Sequence, residues 1–175
     1  TMKKPPFSDA SPGWGLIAAT WIGMLGLLYV VFDGVIERQN YPQPSITQNT
    51  VAGVQELVLK RNRAGHYVAP GAINGRPVIF LLDTGATLVS VPAPQGPALG
   101  LTPGAHGTSQ TANGSVAIRF TTIDRLTLGP FELRGIPAAL NPGMDHDEIL
   151  LGMSVLKHLE FTQRGNTLIL RPHPP

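Results

Sequence analysis

An apolar segment that ends in an acidic residue is the most constraining feature of this sequence. Residues 79–82 read Ile-Phe-Leu-Leu, and Asp83, Thr84 and Gly85 follow directly. A short apolar run of this kind predicts a buried strand. The Thr-Gly pair predicts a sharp turn after it, because glycine accepts backbone conformations that other residues avoid. The fold must therefore hold the Asp83 carboxylate at a rigid, poorly hydrated strand end.

A carboxylate in such a place gains a catalytic use when a second one faces it. Two carboxylates placed face to face cannot both ionise, so they share one proton and act as acid and base on one water. The sequence contains a single Asp-Thr-Gly. A second copy of the chain must then supply the other carboxylate, with the site on a two-fold axis. On its own, the tripeptide is more typical of a surface turn stabilised by an Asp side chain.

Two further segments extend the pattern, in a fixed order along the chain. Residues 111–115 read Thr-Ala-Asn-Gly-Ser, and residues 149–156 read Ile-Leu-Leu-Gly-Met-Ser-Val-Leu. Together with the Asp-Thr-Gly segment they resemble the flap tip and the second signature of the retropepsin-like aspartic proteases (clan AA). The resemblance covers roughly residues 64–171 and is nearest to the bacterial membrane-anchored, single-domain branch. It implies an all-β fold: a retropepsin-like closed barrel or sandwich with a flap hairpin and one short helix.

The same resemblance implies a role for each matching position. Asp83 would carry the shared proton and activate the lytic water, Thr84 would bond across the dimer, and Gly85 would permit the backbone geometry of the loop. These three are the expected catalytic positions. The expected substrate-binding or packing positions are Ala86, Asn113, Gly114 and Gly152.

The beginning of the sequence predicts a membrane anchor. Residues 14–32 contain no charged residue, and at about 1.5 Å per residue they span about 28 Å, close to a hydrocarbon core of ~30 Å. We expect a cytoplasmic N-terminus at residues 1–13 and a transmembrane helix at 14–36, because Lys3 and Lys4 precede the apolar run. The chain would then be a single-pass inner-membrane protein with its C-terminal domain in the periplasm or otherwise outside the cytoplasm. A cleaved signal peptide is the alternative, although the run is longer than usual and no clear Ala-x-Ala follows it.

Turn signals organise the remainder of the sequence. Residues 37–50 are rich in Gln, Asn and Pro and predict a stalk, so that the protease-like domain would occupy residues 51–175. Twenty Gly and seventeen Pro indicate many turns and short strands. The Asn-Gly pairs at 74–75 and 113–114 and the Gly-Asn pair at 165–166 predict hairpins. A helix is predicted in this domain only over Met153 to His158.

Other kinds of function find little support in the sequence. There is no cysteine, which excludes disulfides, thiolate metal sites and cysteine nucleophiles. The net charge is +2 and basic residues are scattered, so nucleic-acid binding is not expected. Residues 145–148, Asp-His-Asp-Glu, offer metal-ligand types, but neighbours in one short run rarely converge on one ion, and a charged loop is favoured. We expect no metal and no cofactor.

These observations lead to a functional hypothesis with two alternatives. The chain is expected to be a membrane-anchored, homodimeric aspartic endopeptidase that binds an extended protein or peptide substrate and hydrolyses it with an activated water. The first alternative is a catalytically silent binding or scaffold module of the same fold at the membrane. The second is a latent protease that processes one specific membrane protein.

The residue after the tripeptide yields a prediction about pH. Ala86 stands where many pepsin-like enzymes have Ser, so the resemblance implies that one hydroxyl donor to the carboxylate pair is absent. Such a donor stabilises the ionised form of the pair, so its loss should move the acid limb of the activity profile to higher pH. We expect cleavage in the weakly acid to near-neutral range, measured as peptide hydrolysis against pH. An optimum below about pH 3 would contradict this reasoning.

Overall fold

The computed structural model describes residues 13–40, 42, 44–49, 54–111 and 114–173. The chain divides into two compact units, residues 1–38 and 39–175. Helix α1, most of which lies in the first unit, runs over Trp14–Asn40, beyond the expected end of the anchor at residue 36. Its segment Trp14–Asp33 is long and apolar enough to cross a membrane, and its most apolar part is not buried within the chain. A signal sequence near the N-terminus has the same length and composition.

The second unit consists mainly of short β-strands. The strands are β1 (Ser45–Asn49), β2 (Val54–Lys60), β3 (Val68–Ile73), β4 (Arg76–Leu82), β5 (Val89–Pro92), β6 (His106–Thr111), β7 (Gly114–Leu128), β8 (Phe131–Asn141), β9 (Ile149–Leu151), β10 (Leu159–Arg164) and β11 (Thr167–Pro172). Helix α2 (Met153–Leu156) and the 3₁₀ turns Ala93–Gln95 and Pro97–Leu99 complete the described elements. This mostly β architecture with one short helix confirms the fold class expected from the sequence.

The larger sheet closes on itself. Its strand order is β3-β4-β9-β5-β8-β7-β6, and β3 also pairs with β7, so that the strands from β3 round to β7 form a barrel. Phe80, Ile123, Leu126 and Ile149 are fully buried inside it. Strand β6 lies outside the closed part and pairs with the first half of β7, from Thr111↔Gly114 to His106↔Arg119. The barrel thus carries a projecting β6–β7 hairpin at the position where the sequence predicts a flap.

Strand β7 differs from the sequence-based expectation. The alternation from Ser109 to Phe120 predicts a hairpin, and the pattern from Ile123 to Leu128 predicts a separate strand, but one strand of 15 residues runs through both segments. It has different partner strands along its length, since Arg119 pairs with β6 and β8 while Leu126 pairs with β8 and β3. The change of partner interrupts the alternating pattern of hydrophobicity without breaking the strand.

The smaller sheet has the order β1-β2-β11-β10. Strand β1 pairs with β2 over the register Ser45↔Val58 to Asn49↔Val54. This strand lies within residues 37–50, where the sequence predicts a stalk, so ordered β-structure begins before the expected boundary at residue 51. The segment Ser-Ile-Thr-Gln-Asn has too weak an alternation to indicate a strand, and backbone hydrogen bonds to β2 are independent of side-chain type.

Two of the predicted hairpin turns have the backbone geometry that their residues favour. Asn74 and Gly75 both have positive φ, 50° and 80°, as a type I′ turn requires. Gly165 has φ 59° and is followed by Asn166 in the two-residue β10–β11 turn, which fits a type II′ turn. Residues 112 and 113, at the tip of the third hairpin, lie outside the described residues.

Phe80 anchors the barrel core and generates a stability prediction. Its side chain is fully buried, and Gly71 lies so close that an added Cβ would be 2.6 Å from the Phe80 ring. Phe80→Ala should cost about 3–5 kcal/mol of unfolding free energy, because it removes a large buried side chain and leaves a cavity. The matched control is Phe161→Ala, since Phe161 is 43% exposed. Equal losses for both variants in denaturant unfolding would contradict this assignment of the core.

Candidate active site

Asp83 lies at the end of β4, where the sequence predicts it. Strand β4 pairs in parallel with β9, from Phe80↔Ile149 to Leu82↔Leu151. The Asp83 amide continues this ladder by donating to the Leu151 carbonyl at 3.2 Å. The barrel therefore holds the backbone of Asp83 at its rim, and the chain leaves the sheet only after this residue.

The loop that follows holds the Asp83 carboxylate in one orientation. The Gly85 amide donates to Asp83 Oδ1 at 2.8 Å, and the Ala86 amide donates to the Asp83 carbonyl at 3.3 Å. Asp83 is half-buried, whereas Thr84 and Gly85 are exposed. Hydrogen bonds to an ionised acceptor are among the stronger ones in proteins, so the turn presents a carboxylate with one oxygen already engaged.

Gly152 lies directly beneath this loop. An added Cβ would be 2.3 Å from the Leu88 carbonyl oxygen and 2.6 Å from the Ala86 carbonyl oxygen. Backbone atoms cannot yield as a flexible side chain can, so a glycine is needed for this close approach. Gly152 is buried and packs against the loop. Its expected contact with substrate stays a prediction.

Helix α2 also holds the Asp83 loop in place, through two hydrogen bonds. The Met153 amide donates to the Ala86 carbonyl at 2.7 Å, and the Ser154 amide donates to the Thr87 carbonyl at 2.9 Å. Amides in the first turn of a helix have no partner within the helix, and here the loop provides one. The start of α2 and the loop therefore satisfy each other's backbone groups.

Ser154 is the residue of this site whose role sequence reasoning missed. It is only 5% exposed, and its Oγ accepts a hydrogen bond from the Val89 amide at 3.1 Å. Ser154 follows Gly152 but lacks the second glycine of the Gly-x-Ser-x-Gly motif of serine hydrolases. The signal for this role was a polar residue inside an apolar run, Leu-Leu-Gly-Met-Ser-Val-Leu. A buried hydroxyl requires a hydrogen-bond partner.

An apolar surface accompanies the carboxylate. Leu82 packs against the core, so the alternation along β4 directs Leu81 to the opposite face, the one that Asp83 shares. Leu81 is paired directly with Leu150 of β9, and both side chains are half-buried. Three surface cavities of about 400, 410 and 500 Å³ occur elsewhere, and Asp83 lines none of these three.

The remaining predicted positions lie in the β6–β7 hairpin. Gly114 opens β7, is exposed and has φ 110°. Its carbonyl accepts a hydrogen bond from Thr111 Oγ1 at 2.8 Å, which closes the hairpin near its tip. Asn113 lies outside the described residues. The structure thus brings Asp83 to Ala86 together with Gly152, and it places Gly114 in a separate element.

Residues 145–148 form the segment for which the sequence favours a charged loop over a metal site. His146 Nδ1 lies 3.4 Å from Glu148 Oε2, with 42% and 27% of the two side chains exposed. Among the residues that the structure describes, no group of three or more His, Cys, Asp or Glu side chains gathers in a metal-binding arrangement.

Known proteins resemble this chain both in sequence and in structure. Residues 69–158 match the family described as gag-polyprotein putative aspartyl protease. A curated protein from Sinorhizobium sp., described as an uncharacterized protein in the cobV 5′ region, is 32% identical over 123 residues, which are 68% of this chain and 53% of the relative. The chain thus spans about half the length of that relative.

A solved structure supports the same grouping. The crystal structure of a retropepsin-like aspartic protease from Rickettsia conorii is similar, with a TM-score of 0.58 and 29% identity, and the match covers 74% of this chain and 96% of that one. The family match includes both the Asp83 loop and the Gly152 segment that packs beneath it. The chain therefore belongs to the gag-polyprotein putative aspartyl protease family, within the retropepsin-like aspartic proteases.

Proposed function

We propose that this chain is a membrane-anchored, homodimeric aspartic endopeptidase. Asp83 of each of two copies would form the catalytic pair, which shares one proton and activates the water that attacks the peptide carbonyl. Thr84 would bond across the dimer, and Gly85 would allow the two loops to approach. The proposal extends the family membership to a specific assembly and reaction.

The observation that carries the proposal is how firmly the Asp83 loop is held. Its carboxylate accepts from the Gly85 amide at 2.8 Å, and the loop carbonyls of Ala86 and Thr87 accept from amides of α2 at 2.7 and 2.9 Å. A surface turn needs no such support. Catalysis by a carboxylate pair does, because reacting groups must be held in place before the reaction begins.

The need for a second copy follows from the single carboxylate. One chain has one Asp-Thr-Gly, and Thr84 and Gly85 at the tip of its loop are exposed. A two-fold axis beside the loop would bring two copies of Asp83 together and would cover both tips. An anchor over Trp14–Asp33 would favour this encounter, since confinement to a membrane raises the effective concentration of both chains.

The surface beside Asp83 favours a peptide substrate with apolar side chains. Leu81 and Leu150 lie on the face of the barrel that Asp83 shares. An extended peptide bound there would direct alternate side chains toward these leucines, while the hairpin that contains Gly114 would close over its backbone. Asn113, Gly114 and Ala86 remain the expected contacts with substrate.

A binding or scaffold module of the same fold is the rival function. It would keep the barrel and the loop but need no second carboxylate, and it would hold a partner through its cleft and sheet edges. The hydrogen bonds that hold the Asp83 loop favour the peptidase, because binding alone does not require an oriented carboxylate. A latent protease with a single membrane substrate would show Asp83-dependent cleavage of that substrate without general proteolysis.

Replacement of Asp83 tests the reaction. The full-length chain in detergent should cleave a mixed peptide library between about pH 4 and pH 8, and Asp83→Asn should lower the rate by at least about a thousandfold because it removes the group that activates water. Product masses would reveal the cleavage sites. Equal cleavage by two folded, dimeric proteins would contradict the proposal, and absence of cleavage in both would favour the binding module.

Replacement of Gly152 tests whether the position of the loop matters. In Gly152→Ala the new methyl meets the carbonyl oxygens of Leu88 and Ala86, so the loop must shift, and displacement by about 1 Å can cost about a hundredfold in rate. The control is Gly26→Ala, which adds the same methyl where no atom lies within 4 Å. We expect Gly152→Ala to lose peptidase activity and the control to keep it, measured as kcat/KM. Full activity in Gly152→Ala would refute the supporting role of this segment.

A further inference from the structure

We propose that a surface cavity beside strands β3 and β4 is a second binding site, which takes a Lys or Arg side chain of the protein substrate. The proposal rests on the proposed function, because it gives the substrate of that peptidase a second point of attachment away from the Asp83 loop. It assigns a role to the charged segment that contains Asp147, which the reaction at Asp83 does not use.

The first support is the shape and lining of the cavity. Its volume is about 400 Å³, within the range of roughly 300–1,000 Å³ that is usual for ligand sites. The walls include four apolar side chains, Pro70 of β3 and Pro77, Val78 and Ile79 of β4. Proline fixes φ, and both prolines lie within the paired strands β3 and β4. The walls are therefore rigid before a ligand arrives, which lowers the entropic cost of binding.

The second support is the charge at the rim. Asp147 and Glu148 line the cavity, and no basic residue is among the described residues that line it. Glu148 Oε2 lies 3.4 Å from His146 Nδ1, whereas within the described part of the chain the exposed Asp147 carboxylate has no ion-pair partner. An apolar cavity with carboxylates at its mouth complements a side chain that has a long apolar stem and a cationic end. Lys and Arg have this character.

The third support is a hydrogen bond that holds the rim in place. Gln95 Nε2 donates to the Asp147 carbonyl at 3.0 Å. Gln95 belongs to the 3₁₀ turn Ala93–Gln95 and also lines the cavity. On its other side the acidic segment continues directly into β9, which pairs with β4. Both ends of the segment are therefore attached to the barrel, and the backbone of Asp147 is fixed at the mouth of the cavity.

The position of the cavity connects it with Asp83. Side chains alternate between the two faces of a strand, so that Ile79, Leu81 and Asp83 share one face of β4 and its continuation. Ile79 lines the cavity and lies four residues before Asp83, about 13 Å along the strand. An extended peptide needs at least about four residues to cover that distance. A substrate cleaved at Asp83 would therefore reach the cavity with a basic residue about four or more positions from the cleaved bond.

Binding of an arginine derivative tests the cavity without cleavage. The probe is N-acetyl-arginine amide, titrated into the full-length chain in detergent while the methyl signals of Val78 and Ile79 are followed by NMR. Both signals should shift. Asp147→Asn should raise the Kd about fivefold, because it removes a carboxylate that pairs with the guanidinium group. N-acetyl-norleucine amide, which has an apolar stem and no charge, should bind more weakly by at least the same factor.

The matched control for the charge is Asp145→Asn. Asp145 is an exposed carboxylate two residues before Asp147, and it is not among the residues that line the cavity. Its replacement removes the same charge from the same segment and should leave the Kd unchanged. Absence of shifts in the two methyl signals, or equal weakening by the two variants, would overturn the proposal.

Cleavage tests whether the bound side chain belongs to the substrate. Peptides with Lys or Arg about four or more positions from the cut should have a higher kcat/KM than peptides with norleucine there. In Asp147→Asn this preference should fall about fivefold through a higher KM with kcat retained, because the contact is made equally in the bound substrate and in the transition state. Asp145→Asn should keep the preference. A wild-type chain without any preference for Lys or Arg would overturn the assignment to substrate.

The two proposals fail in different ways. Binding of the arginine derivative that Asp147→Asn weakens, without Asp83-dependent cleavage, would support the cationic site and count against the peptidase. Asp83-dependent cleavage without binding of the derivative, and with the same kcat/KM in Asp147→Asn, would overturn the cationic site and support the peptidase.

Discussion

The contact between the Asp83 loop and the segment Leu151 to Ser154 is the constraint on which the rest of this site depends. Asp83 extends the β4–β9 ladder by one hydrogen bond, and two amides of α2 bind the next carbonyls of the loop. The fit leaves no room for a Cβ at residue 152. Segments almost seventy residues apart in the sequence thus form one unit, and a change in either displaces the carboxylate.

This contact depends on the position of β4 beside β9 in the barrel. The parallel pairing of β4 with β9 brings the two segments side by side, and the short strand β9 passes at once into Gly152 and α2. The helix then leads into β10, at the edge of the smaller sheet. A single path of the chain therefore connects the support of the carboxylate with the smaller sheet.

The proposed carboxylate pair would require both copies of the loop to be held with equal accuracy. Each copy would bring its own support, because Gly152 and the amides of Met153 and Ser154 belong to the same chain as Asp83. In the proposed dimer, confinement to a membrane would raise the concentration of both copies without orienting them.

Local features of the chain were predictable from the sequence because their causes are local. The backbone preferences of a few residues are enough to predict the turns at Asn74-Gly75 and Gly165-Asn166. The same holds for the end of the apolar run at Asp83 and for the short helix after Gly152. The edge strand β1 was not predictable, since it is formed by backbone pairing with β2 and its side chains have no clear pattern. The unbroken course of β7 past Phe120 also depends on three partner strands.

The sequence by itself thus determined which residue carries the carboxylate, which turns flank it and that the chain contains a single Asp-Thr-Gly. Only the tertiary structure decided what holds that carboxylate: the Ser154 hydroxyl on the Val89 amide, the α2 amides on the loop carbonyls, and the contact of Gly152 with the loop. The physical reason is that a conformational preference belongs to a residue and its neighbours, whereas a hydrogen bond or a close contact requires a partner that folding brings from elsewhere.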